Sequence, residues 1–189
     1  MSTDGPLGAV LCGGGSRRMG QDKALLRLDR VPMAERVALA LEAGGCAEVV
    51  MIGGDEAGLR AAIGRRWAPD RWPGEGPLGG LITALEAAEG RGAVVSACDL
   101  PDLDGPTVRA LLDAADAAPS DVDAVVAATE HPHLLAWWRP GAQARLTELF
   151  VAGERGIRRA QRRVRVIEVA VEPHTMRNVN EPADLAPGE

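Results

Sequence analysis

The chain has 189 residues, 46% hydrophobic and 25% charged, ordinary proportions for a soluble globular protein and enough length for one domain that buries a core without staples. A net charge of −6 disfavours general nucleic-acid binding, so an anionic substrate needs a local cluster of positive charge. No apolar run approaches bilayer length, the opening MSTDGPLGAV lacks a basic n-region, and the scattered Cys12, Cys46 and Cys98 fit neither a disulfide framework nor a metal knuckle, which predicts a reducing cytoplasm and no membrane partner.

Residues 7–11 read as a buried strand running into LCGGGSRRMGQDKALL. Two familiar phosphate loops fail there on spacing. A P-loop needs lysine directly after its last glycine, where Gln21 stands, and a dinucleotide fingerprint from Gly13 puts Arg18 at its third glycine. What remains is a loop, Gly13 to Ser16 onward, able to expose backbone N–H groups, with Arg17, Arg18 and Lys23 as three cations within seven residues to face a triphosphate. A short extended piece is expected at Leu25, Leu26 and Leu28. Pro32 then opens a helix with an apolar stripe of Met33, Val37, Leu39, Ala40 and Leu41 that stops at Gly44-Gly45. Residues 49–52 form a buried strand closed by Gly53-Gly54, and 56–66 read as helical.

A Gly-Pro entry precedes a helix over 78–89, and 93–98 form a third buried strand ending in Asp99-Leu100-Pro101. Residues 107–118 follow as a helix, 124–128 and 134–138 as strands, 143–151 as a helix, and 164–171 as a last strand with alternating apolar positions. In Trp137-Trp138, strand alternation sends one ring inward and one outward. Repeated strand-helix units with apolar strands predict an α/β fold with a mainly parallel sheet covered on both faces. Ligands in such sheets bind beyond the carboxyl ends of the strands, so the glycine-basic loop, Gly53-Gly54 and Asp99 should border one crevice. Asp99 suits Mg²⁺, which takes one or two carboxylates with phosphate oxygens and water; a turn or N-cap aspartate is its plainer reading.

The loop, PDRWPGEGPLGGL, ACDLPDLDG and the tail MRNVNEPADL stand in the order and approximate spacing of nucleotidyltransferases. The chain resembles the molybdenum cofactor guanylyltransferases, the MobA-like enzymes, over nearly its whole length. Their motifs L-A-G-G-x-S-x-R-M-G-x-D-K, P-G-P-L-A-G, C-D-x-P and N-V-N-T-P-E-D-L are mirrored at 11–23, 75–80, 98–101 and 178–185, and LFVAGERGIRRAQRR resembles their A-G-E-R-R segment. The resemblance implies one domain over 1–189 with a three-layer αβα Rossmann-like nucleotidyltransferase fold, its N-terminal half binding nucleotide and its C-terminal half molybdopterin. It implies transfer of GMP from GTP to molybdenum-molybdopterin with Mg²⁺, pyrophosphate leaving.

Carried over by residue, Leu11, Cys12 and Gly13 line the nucleotide. Gly14, Gly15, Ser16 and Arg18 continue its cradle, and Arg17 and Lys23 hold phosphates as catalytic cations. Asp70 reads or orients the nucleoside, with Gly53 beside it, and Asp99 binds Mg²⁺. Gly76, Pro77 and Leu78 favour GTP over CTP, while Asn178 and Asn180 face the pterin. Cys12 departs from the family's usual alanine where backbone approaches the base. Cytidylyl transfer, another phosphorylated acceptor, and a non-catalytic adaptor delivering cofactor to molybdoenzyme apoproteins or chaperones remain the alternatives. The run Arg155, Arg158, Arg159, Arg162 and Arg163 reads as a solvated helix face, or as a seat for the pterin phosphate or an acceptor apoenzyme. His131 and His133 share a predicted strand face without a third metal ligand. Asp102 and Asp104 could support the metal from behind Asp99, but turn and N-cap duty is the expectation.

Overall fold

A computed structural model describes residues 5–13, 22–128, 134–180 and 184. The first strand, β1 (Leu7–Leu11), is followed by a 3-10 turn at Lys23–Leu25 and a short antiparallel pair, β2 (Arg27–Leu28) and β3 (Val31–Pro32). Helix α1 (Met33–Gly44) leads to β4 (Glu48–Ile52), α2 (Glu56–Ala62), β5 (Arg66–Ala68) and α3 (Pro77–Ala87). Then come β6 (Ala93–Ala97), α4 (Gly105–Ala117), β7 (Ala124–Ala128) and β8 (Leu135–Trp138). The described chain continues through α5 (Ala142–Val151), α6 (Ile157–Gln161), β9 (Val166–Ala170) and a 3-10 turn at Pro173–Met176.

The main sheet has the order β5-β4-β1-β6-β8-β7-β9. Strand β8 alone runs antiparallel to its neighbours β6 and β7, and the remaining pairs are parallel. Strand alternation sends Leu7, Ala9 and Leu11 to one face and Val10 to the other. Helices α1 and α4 cover the second face with Val37, Leu41, Val108 and Leu111, while α3, α5 and α6 cover the first with Leu81, Ile82, Leu146 and Ile157. The outcome is the expected three-layer α/β architecture, with two apolar layers separated by the sheet rather than a single core.

Five local expectations change. Residues 56–66 divide into α2 and the edge strand β5, with Gly64 at φ +72° between them. Pro32 is held extended at ψ 141° by the β2–β3 pair and precedes α1 rather than starting it. Leu39 is 48% exposed, because Ala34, Val37, Ala38 and Leu41 supply the face that meets the sheet. Trp137 and Trp138 are both buried, one in each apolar layer, since helices cover both sides of β8. Leu25 lies in the 3-10 turn, not in an extended piece.

Candidate active site

From β1 the sheet grows outward through β4 to β5, then resumes on the other side of β1 with β6. This reversal opens a crevice at the carboxyl ends of β1 and β6. Backbone bonds level the strand ends: Cys98 N–H donates to Leu11 O (3.2 Å), Cys12 N–H to Ile52 O (2.9 Å) and Gly53 N–H to Ala68 O (2.9 Å). Among the described residues, the starts of the three loops named in the sequence expectation therefore lie at one edge of the sheet. Gly53 has φ +67°, and a Cβ there would lie 3.2 Å from Asp70 Cβ and 3.5 Å from Gly13 Cα, so the approach requires glycine.

Asp70 follows β5 and is held from behind. Its Oδ1 accepts from Trp72 N–H at 3.0 Å and from the Thr83 hydroxyl at 3.4 Å. Its Oδ2 lies 3.8 Å from where a Gly13 Cβ would be, so that oxygen overlooks the start of the glycine loop. Leu11 and Leu78 direct their side chains into the core, Leu11 packing on Gly80; only their backbones can border the crevice. Gly76 and Pro77 form the turn that enters α3.

At the other end of the crevice Lys23 Nζ donates to Asp99 Oδ2 at 2.9 Å and to Asn180 Oδ1 at 2.8 Å. The lysine and aspartate side chains are only 12% and 21% exposed. Val179 N–H donates to Asp99 O at 3.0 Å, so the C-terminal segment is sewn to the loop after β6. Asn178 Oδ1 beside it is buried without a hydrogen-bond partner. The first cation after the glycine loop, the strand-end carboxylate and the Asn-Val-Asn segment thus converge, although the nearest of them in sequence are 76 residues apart.

Asp22, to which the sequence reading assigned no role, positions the turn that carries Lys23. Its Oδ1 accepts from Ala24 N–H (3.0 Å), capping the 3-10 turn, and its Oδ2 from Asp55 N–H (3.0 Å), tying the lysine's turn to the loop after β4. An Asn, Asp, Ser or Thr directly before a short helix was the available signal. Asp104 caps α4 through Thr107 N–H at 2.9 Å, the N-cap duty expected, whereas the Asp102 side chain pairs with Arg177 and Arg36 instead.

Cys12 points away from the crevice, its Sγ 3.8 Å from Met51 Sδ, so its replacement of alanine alters the core beneath the site. Burial pushes the Cys12 thiol well up, with Cys98 and Asp22 adding to it. Burial, then Asp99, raise the Cys98 thiol to about 12 against an opposing effect of Lys23. Both are neutral thiols at pH 7 and poor nucleophiles. Among the described residues no group of three His, Cys, Asp or Glu side chains could hold a metal ion.

Arg155 does not belong to the solvent-facing run: it binds Glu75 and the Phe150 carbonyl. Arg158, Arg159, Arg162 and Arg163 are exposed, while Ile157 and Ala160 anchor the short α6. Gly14, Gly15, Ser16, Arg17, Arg18, His131 and His133 lie outside the described residues. No described helix is long and apolar enough to cross a membrane.

The MobA-like NTP transferase domain family matches residues 8–169. A molybdenum cofactor guanylyltransferase of Rhodobacter capsulatus is 37% identical over 188 residues, covering 96% of this chain and 94% of that protein. A probable molybdenum cofactor guanylyltransferase of Chloroflexus aggregans is 34% identical, covering 94% and 90%. The crystal structure of molybdopterin-guanine dinucleotide biosynthesis protein A from Archaeoglobus fulgidus superposes with a TM-score of 0.76 at 26% identity, covering 95% and 94% of the two chains. With that fold, that match and the crevice at the sheet's reversal, this chain belongs to the MobA-like NTP transferase family and is a nucleotidyltransferase.

Proposed function

We propose that the chain transfers GMP from GTP to molybdenum-molybdopterin, forming the guanine dinucleotide form of the cofactor. A terminal phosphate oxygen of the pterin bonds to the α-phosphorus of GTP, the bond from that phosphorus to the bridging oxygen breaks, and pyrophosphate leaves with the electron pair. The convergence of Lys23, Asp99 and Asn180 is the observation that carries this reading, because it brings a cation, an acid and the tail to one point. The nucleotide is assigned mainly to the N-terminal half of the chain and the pterin to the C-terminal half.

Asp99 fits a Mg²⁺ site: a carboxylate at a strand end, partly open, beside the lysine expected to meet a triphosphate. When bound, Mg²⁺ supplies charge neutralisation to phosphate oxygens during the transfer. Lys23 has three N–H donors and gives one each to Asp99 and Asn180, leaving a third for a phosphate oxygen. An ammonium so fixed stabilises charge that builds on the leaving group. No dedicated base is required, since the attacking phosphate is already largely ionised at neutral pH. Arg17 and the loop from Gly14 to Arg18 are assigned to the same triphosphate.

Guanine presents N1–H and N2–H₂ donors on one edge, whereas cytosine presents an acceptor at N3. Asp70 Oδ2, overlooking Gly13, is an acceptor and so favours guanine. The unpartnered Asn178 Oδ1 suits an N–H of the pterin. Three buried free thiols accord with a reducing, cytoplasmic setting. The exposed arginines of α6 offer a transient contact to an apoprotein or chaperone.

The test is pyrophosphate release from GTP or CTP with Mg²⁺ and molybdenum-loaded pterin. Turnover with GTP well above that with CTP is expected. Preference for CTP would replace the base assignment, and no release with either nucleotide would favour the adaptor reading over catalysis.

A further inference from the structure

We infer that Arg155 is a positioning residue for the nucleoside side of the site, acting through the turn that enters α3, and is not a contact for the second substrate. The inference rests on the guanylyltransferase reading and adds a residue to it. Arg155 sits in a run of arginines, and charge alone would point it at a phosphate. Its guanidinium is instead held against the protein surface: Nε donates to Glu75 Oε2 at 2.8 Å, and Nη1 donates to Phe150 O at 2.7 Å and to Glu154 O at 3.0 Å. The group lies over the Phe150 ring, with Cζ 4.1 Å from its centroid.

The Arg155 backbone does a second job. Its carbonyl accepts from Leu78 N–H at 3.2 Å, and Gly76 turns against it at φ +96°, where a Cβ would come within 2.9 Å of that oxygen. The opening of α3 offers few free donors as a result. Pro77 has no N–H, Leu78 N–H is taken, and Gly79 N–H folds back onto Gly76 O at 3.2 Å. A helix start that lacks one N–H, has two others engaged and is closed by a carbonyl oxygen is a poorer phosphate site than an open one. This turn therefore serves the less charged part of the nucleotide.

A packed path leads from there to Asp70. Phe150 meets Trp72 with ring centroids 5.0 Å apart. Trp72 Cβ lies 3.1 Å from where a Gly79 Cβ would stand, and Trp72 N–H holds Asp70 Oδ1. Thr83 of the same helix bonds both Gly79 O and Asp70. Side chain and carbonyl of Arg155 thus brace the two walls, α3 and the Asp70 loop, between which a base would lie.

The test compares Arg155→Ala, Arg155→Lys and Glu75→Gln with the unaltered protein, using steady-state kinetics with GTP and the pterin varied separately, GTP against CTP turnover, and equilibrium GTP binding without acceptor. Since small misplacements of positioning groups are costly, Arg155→Ala should raise the KM for GTP about tenfold and weaken GTP binding in parallel, with the pterin KM within about twofold and GTP–CTP discrimination reduced. Glu75→Gln, which breaks only the partly exposed ion pair, should move the same quantities in the same direction by about threefold. Lysine cannot span Glu75 and the Phe150 carbonyl together, so Arg155→Lys should resemble alanine more than arginine. If Arg155→Ala does not fold, the other two variants decide. A rise in pterin KM alone, or unchanged GTP binding and discrimination in folded variants, would overturn the inference. Absence of pyrophosphate release by the unaltered protein would instead overturn the transferase reading.

Discussion

Lys23 is the residue on which the charge balance of the site turns. Its ammonium neutralises Asp99 and binds the tail, and on the proposed reading it also meets the negative charge of the triphosphate. Replacing it with alanine removes a donor from the transfer step, and turnover should fall by about 10²–10³, as for other lost transition-state donors. A near-normal rate in a purified assay would remove Lys23 from the mechanism. The thiols give a second residue-scale expectation. Folding raises Cys46 and Cys98 from 9.0 to about 12, chiefly by burial. Above pH 9 the unfolded chain releases these protons while the native chain retains them, so stability is intact below that pH and declines as pH rises toward 12. Urea titrations across this range should show the decline, and Cys46→Ala should make it shallower. An identical slope in the variant would rule out this source of alkaline sensitivity.

At the scale of elements, α1 and α4 are pressed together by missing side chains. A Cβ on Gly44 would fall 2.3 Å from Val108 Cβ, and one on Gly105 3.0 Å from Ala43 Cβ. Gly44→Ala forces the helices apart and should destabilise the fold by about 1–3 kcal/mol, the usual cost of overpacking. Asp104→Ala removes the cap of α4 and should cost about 1 kcal/mol. Denaturant midpoints measure both, and a neutral Gly44→Ala would show that the contact yields easily. Strands β1, β4, β6 and β7 were legible because buried parallel strands appear as unbroken apolar runs. Strand β5 was not: it has three residues, begins with Arg66 and lies at the sheet edge, so it offered no run to set it apart from α2. Leu39 misled because hydrophobicity marks a candidate for burial, not a direction. Lys23 was legible as a cation of the glycine-rich loop and Asp99 as a carboxylate at a strand end, and the structure brings the two together. The work of Arg155 was not, since half of it belongs to a carbonyl oxygen, which every residue has.

The whole molecule works because a sheet that reverses order beside β1 gathers distant segments at one edge. Helices on both sides bury Trp137 and Trp138 in opposite layers. Trp138→Ala would leave a large void and should cost about 3–5 kcal/mol. On that platform the site is closed by segments from both ends of the chain, since Val179 bonds Asp99 and Asn180 bonds Lys23. The most direct test is a crystal structure with Mg²⁺ and a GTP analogue blocked at the α–β bridge. The account predicts the triphosphate between the glycine loop and Asp99, with Lys23 Nζ on a phosphate oxygen, the ion on Asp99, and the base beside Asp70. A nucleotide bound elsewhere, with Lys23 and Asp99 still engaged only with each other, would contradict it.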